Sequence, residues 1–179
     1  SLGIHFKLNE KEVLPLDPAV KNYTQEGPHV VFSDKIQKLS DKLAGKEKNP
    51  LVKARKFYDW ITENIKYSYA LEYSTIRNIG EYCLDKMYGD CGQEALLFIT
   101  LCRSNGIPAR WQSAWFTFPG GKTIHDWTEI YVKPWGWIPV DPQTMEVKSA
   151  AGEGRVFAIG DVTTVSLPGR FKPDVGLVL

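Results

Sequence analysis

Among the side chains of this 179-residue sequence, the three cysteines and three histidines carry the chemistry. Cys83, Cys91 and Cys102 are odd in number and close together, which is no disulfide framework, so the question is which thiol is reactive. A thiol becomes a useful nucleophile where a helix N-terminus or a neighbouring imidazolium favours its anion. Cys91 follows Gly89-Asp90 and opens a strongly apolar helical run, which sets its sulfur over unpaired N–H groups at the positive end of the helix. Glycine at 89 and 92 is expected to let the backbone turn sharply and a substrate carbonyl approach, with the Cys91 N–H as an oxyanion donor. His125, 34 residues on, is the candidate base, and Asp141, 16 residues further, the acid that orients it. Those three residues would perform acyl transfer through a thioester.

The elements that must position them follow from patterning. Ser33 caps a short helix with Ile36, Leu39 and Leu43 on one face, ended by Gly45; Asn49-Pro50 starts a second helix running to about Lys66. Its buried stripe is Leu51, Ala54, Tyr58, Ile61 and Ile65, widened by Phe57 and Trp60. A weaker helix is expected over Ile76 to Asp85. From Cys91 to Cys102 apolar residues cover nearly the whole circumference, so that helix is central, and Asn105-Gly106 stops it.

The period then changes to two. Arg110 to Phe118 reads as a strand, Pro119-Gly120-Gly121 as a hairpin connection, Ile124 to Val132 as a second strand and Trp137 to Val140 as a third that ends at Asp141-Pro142. Alternation puts His125 and Trp127 on one face, Trp127 walling the site as a candidate substrate contact, and points Asp126 away from it. Helices followed by an antiparallel meander make an α+β domain. The expected division is an extended N-terminal arm over 1–32, a catalytic core over 33–142, and peripheral strands and loops over 143–179.

Four strings occur in order: Tyr88-Gly89-Asp90-Cys91-Gly92-Gln93-Glu94-Ala95, Gly106-Ile107-Pro108-Ala109-Arg110, His125-Asp126-Trp127-Thr128-Glu129 and Trp137-Ile138-Pro139-Val140-Asp141-Pro142. Together they resemble the transglutaminase-like core, continuously from about Tyr88 to Pro142 and more loosely upstream through Phe57 to Tyr67. The resemblance implies a papain-like fold, with the nucleophile helix packed on an antiparallel sheet. It also implies that Cys91 is nucleophile, His125 general base and acid, and Asp141 the orienting acid. A side-chain oxyanion donor upstream of Cys91 is implied as well, with Tyr67, Tyr69 and Trp60 as candidates. The expected substrate is a peptide, protein or cell-wall-type amide, and the expected activity that of a cysteine peptidase or amidase. The alternatives are a cross-linking glutamyl transferase and a non-catalytic binding module that keeps the fold. No calcium-loop pattern favours the animal-type cross-linker, so hydrolysis is preferred.

The remaining features are bland. Cys83 and Cys102 read as core thiols, His5 and His29 as surface residues and Arg110 as an ion-pair partner. No paired-cysteine spacing supports zinc and no cofactor is expected. A formal net charge of +1 offers no electrostatic footprint for nucleic acid, and no apolar run has the length of a membrane span. The lysine-dense stretch from Lys35 to Lys56 fits the solvated faces of two helices. The chain opens at Ser1 without a signal peptide and so reads as a processed or recombinant form. The arm-plus-domain layout resembles exported or cell-surface bacterial proteins.

Overall fold

Local side-chain chemistry starts and stops each helix. Ser33 Oγ accepts from the Ile36 N–H to open α1 (Asp34–Ala44), and Gly45 ends it at φ 58°, in the left-handed region that glycine tolerates. The Asn49 side chain accepts from Leu51 and Val52 N–H, and Pro50 occupies the first position of α2 (Pro50–Asn64). The third helix, α3 (Ile79–Lys86), begins later than its apolar pattern suggested, because the Asn78 side chain accepts from the Glu81 N–H and fixes the start there.

This computed structural model describes residues 13–69, 73–115 and 124–142. At its centre lies α4 (Cys91–Ser104), in which every residue from Gly92 to Cys102 is buried. The helices α1, α2 and α3 and the main sheet all pack against it. Phe98, Leu97, Ile99 and Leu101 are fully enclosed, and each side chain of this class contributes about 1.5–3 kcal/mol on burial. Ser40 Oγ of α1 donates to Leu101 O at 3.0 Å, satisfying a hydroxyl inside that interface.

The sheet has strand order β3 (Ala109–Trp115), β4 (Ile124–Val132), β5 (Gly136–Val140), antiparallel throughout. Its register pairs Ala114 with His125, Ser113 with Asp126 and Thr128 with Val140. Thr128 Oγ1 donates to Ala95 O at 3.3 Å, locking β4 onto the start of α4. The α+β class and the meander agree with the sequence pattern. The expected end of the first strand at 116–118, the hairpin at 119–121, the first part of the arm at 1–12 and the C-terminal region at 143–179 lie outside the described residues.

Two features had no periodic signal. A two-residue parallel pair, β1 (Lys66–Tyr67) with β2 (Tyr88–Gly89), ties the end of α2 to the approach to Cys91. Within the arm, a short 3-10 turn at Pro18–Thr24 buries Val20, while Arg103 Nη1 donates to Gln25 O at 3.0 Å.

Candidate active site

The start of α4 is held by a complete capping box. Asp90 Oδ1 accepts from the Gln93 N–H at 2.9 Å and Gln93 Oε1 accepts from the Asp90 N–H at 3.2 Å. Tyr73 Oη donates to the same Asp90 oxygen from a 3-10 turn far earlier in the chain. Cys91 is therefore the first residue of α4, half-buried, on a fixed backbone. Gly89 and Gly92 are needed for space rather than for a turn, since neither is among the glycines with positive φ. A Cβ on Gly89 would lie 2.9 Å from Cys83 Sγ; one on Gly92 would lie 2.5 Å from Tyr73 Oη and 2.9 Å from both Asp126 Oδ2 and Trp111 Cη2.

His125, second residue of β4, and Asp141, just past the end of β5, meet as neighbouring antiparallel strands require. His125 Nε2 and Asp141 Oδ2 are 2.7 Å apart, both residues buried. Burial alone would push the imidazole down. The hydrogen bonds and charges of Asp141 and Cys91 outweigh it and carry His125 up to about 10. The three residues singled out in the sequence thus come together from a helix start, a strand start and a strand end.

Asp126 departs from expectation. Strand alternation does put it on the opposite sheet face from His125, beside Ser113. That face carries α4, so the carboxylate is buried against the helix start, with Oδ2 4.0 Å from Cys91 Sγ. Alternation sets the sheet face of Asp126, but the Cys91 sulfur sits where side chains of both faces reach it.

Residues 37–142 match the family model of the transglutaminase-like superfamily. The chain belongs to that superfamily. Proteins similar to this chain are longer than it. An uncharacterized protein of Haemophilus influenzae is 26% identical over 150 residues, 68% of this chain and 39% of its own length. Bacillus subtilis YebA, also uncharacterized, is 23% identical over 76% of this chain and 22% of its own. Among solved structures, a candidate cysteine protease from Cytophaga hutchinsonii superimposes with TM-score 0.60 at 29% identity, covering 71% of this chain and 43% of that one. The periplasmic domain of TgpA from Pseudomonas aeruginosa shares the fold, with TM-score 0.55 at 21% identity over 71% of this chain and 49% of its own. The chain therefore spans less than half of each of these relatives, and the family supports a cysteine-type enzyme.

Around the centre of this transglutaminase-like domain, the other candidates separate. Trp127 is half-buried on the same strand face as His125. Tyr67 lies near enough to Cys91, Asp90 and Glu94 that their charges join burial in raising its phenol. Tyr69 is 90% exposed and Trp60 packs against the core, which leaves Tyr67 as the one of these three close enough to Cys91 to feel its charge, as Tyr73 also does. Cys83 and Cys102 are buried and their thiols are pushed far up by desolvation. Arg110 Nε bonds Glu129 Oε2 at 2.6 Å, with its guanidinium 4.2 Å above the Trp137 ring, the ion-pair role expected of it. His29 is not a plain surface residue: its Nδ1 is buried.

Glu94 was passed over as one letter inside an apolar run, yet a carboxyl on a helix buried all round was itself the signal. Burial, with the nearby charges of Asp141 and Asp90, raises it to about 8. Its ordinary value is 4.5, so between the two the folded chain keeps a proton that the unfolded chain has lost. Stability therefore falls as pH rises through that window, by on the order of 4 kcal/mol in full. Glu94→Gln should flatten this slope and melt above the parent at pH 8.5. Urea unfolding at pH 5, 7 and 8.5 measures it, and parallel profiles for the two proteins would rule out a neutral Glu94.

Proposed function

We propose that this chain is a thiol-dependent acyl-transfer enzyme that breaks peptide or carboxamide bonds, with Cys91 as nucleophile, His125 as general base and acid, and Asp141 orienting the imidazole. The observation that carries the reading is the His125–Asp141 pair at 2.7 Å, hydrogen-bonded in turn to a cysteine that opens a buried helix.

The chemistry follows from those positions. His125 takes the thiol proton and the sulfur attacks the carbonyl carbon. The oxyanion is held by the Cys91 N–H and the Tyr67 hydroxyl. As the C–N bond breaks, the imidazolium returns its proton to the departing amine and a thioester remains. Water then attacks the thioester, losing a proton to His125, and the carboxylic acid leaves as the thiol is re-formed. Hydrolysis is the preferred second half, making the protein a cysteine peptidase or amidase. The candidate cysteine protease of Cytophaga, at 29% identity, favours that reading over cross-linking. The TgpA structure is of a periplasmic domain, which agrees with an exported or cell-surface protein acting on peptide or cell-wall-type amides. Among the described residues no helix is long and apolar enough to cross a membrane.

Turnover of dimethylcasein and short peptide amides in 18O-water, with and without a primary amine, tests the reading by mass spectrometry. Labelled carboxylic acid as the main product supports hydrolysis. Amine adducts in its place would assign cross-linking, and an unreactive Cys91 would leave a binding module.

A further inference from the structure

The side chain that starts α4 works against the residue that follows it. Asp90 lies directly before Cys91, and its carboxylate caps the helix through the Gln93 N–H. An anion there suits the helix, whose start carries roughly half a positive charge. A full negative charge exceeds that half. The thiolate formed during attack would therefore meet an opposing field from its own cap.

The groups around Asp90 supply no cation to offset that field. Its charge is felt by Cys83 on α3, Tyr67 on β1, Glu94 on α4, Asp126 on β4 and Tyr73 in the 3-10 turn at Tyr73–Thr75. Each of these is a carboxyl, a thiol or a phenol. Among the described residues no lysine, arginine or histidine forms an ion pair with Asp90, and His125 is engaged by Asp141 and Cys91. What Asp90 does have is the Tyr73 hydroxyl, which donates to the same Oδ1 that accepts from Gln93. Tyr73 is half-buried against the core with its hydroxyl beside Gly92, and the charge of Cys91 reaches it too. Burial, followed by the Asp90 hydrogen bond, pushes the phenol far up, so Tyr73 keeps its proton and donates. Such a bond to a carboxylate draws negative charge off the accepting oxygen.

Resting on the proposed nucleophilic role of Cys91, we propose that Tyr73 is a positioning residue that acts through Asp90, drawing the charge of the cap away from the sulfur so that the helix start favours the thiolate. The cap then fixes the backbone of Cys91 without opposing its chemistry. A turn with no other part in the site thus sets how readily the nucleophile forms.

The test is alkylation of Cys91 by iodoacetamide at pH 7. The Sγ–C bond forms as the C–I bond breaks and iodide leaves, the thiol proton passing to His125 and on to solvent. Mass spectrometry of the Cys91 peptide gives the rate. Tyr73→Phe should react about tenfold more slowly than the parent, the weight of one hydrogen bond to a charged group. Asp90→Asn keeps a capping oxygen and removes the charge, so it should react at least as fast as the parent. In the Asp90→Asn background, Tyr73→Phe should then cost less than about twofold. An equal loss from Tyr73→Phe in both backgrounds would make the residue structural only and overturn the proposal. A folded Tyr73→Phe that reacts at the parent's rate does the same. Asp90→Asn alone decides without any Tyr73 variant: a reaction about tenfold slower would mean that the carboxylate helps the thiolate, which also overturns the proposal. His125→Ala keeps the two readings apart. If it and the urea-unfolded chain both react at the parent's rate, the nucleophile assignment fails whatever Tyr73 does. If His125→Ala slows the reaction while Tyr73→Phe does not, only the Tyr73 assignment fails.

Discussion

Cys91→Ala is expected to abolish amide turnover, a loss of at least ~10^4-fold, while leaving the fold intact. The size follows from the absence of any substitute. Cys83 and Cys102 are buried, and their thiols are held protonated by desolvation. The fold should survive because the helix start rests on Asp90, Gln93 and Tyr73, none of which uses the sulfur. Cys91→Ser should be nearly as inactive, since a hydroxyl lacks the acidity of a thiol. Turnover and thermal melting of the same samples check both halves. Activity within tenfold of the parent would remove Cys91 from the chemistry, and a collapsed melting curve would remove the claim about the cap.

His125→Ala and Asp141→Asn are each expected to lower kcat/KM by roughly 10^3- to 10^4-fold, for different reasons. The first deletes the proposed proton carrier. The second keeps the shape but exchanges the acceptor of the imidazole N–H for an amide, which can hold the ring in the wrong tautomer. The distinguishing measurement is the pH profile. The His125 imidazole sits at about 10 against an ordinary 6.5, and Asp141 is foremost among the groups that raise it. A raised histidine adds stability that is fully present below 6.5 and lost as pH climbs through about 10. In Asp141→Asn the alkaline limb of the kcat/KM profile should therefore move toward neutral pH, together with the alkaline loss of stability. A limb that stays in place would show that another group holds the imidazolium.

How much of this was legible beforehand depends on the kind of signal. Caps are local, so Ser33, Gly45 and Asn49-Pro50 announced their helices, and the apolar circumference of α4 announced its central place. His125 and Asp141 were reachable because antiparallel strands bring a strand start and the next strand's end together. Tyr73 was not, as it sits in a single 3-10 turn with no period, and its partner Asp90 is 17 residues away. The pairing of Tyr67 with Gly89 was invisible for the same reason, two residues being too few to alternate. Asp126 shows a different limit. Alternation tells which sheet face a side chain takes, but a helix end set against the first residues of a strand is within reach of both faces.

The contacts of the arm also bear on the order in which the molecule is made. Tyr131 Oη donates to Asp17 Oδ2 at 3.2 Å across 114 residues of sequence, and Arg103 reaches back 78 residues to Gln25 O. On a ribosome adding about 5–20 residues per second, Asp17 waits roughly 6–20 s before its partner on β4 exists. Within this stretch of sequence, residues 17–25 are made before the residues of α4 and β4 that they bond. The turn that buries Val20 packs on α4 and on β3 alike, so its cover is complete only once a helix and a strand made roughly 80 to 90 residues later are both in place.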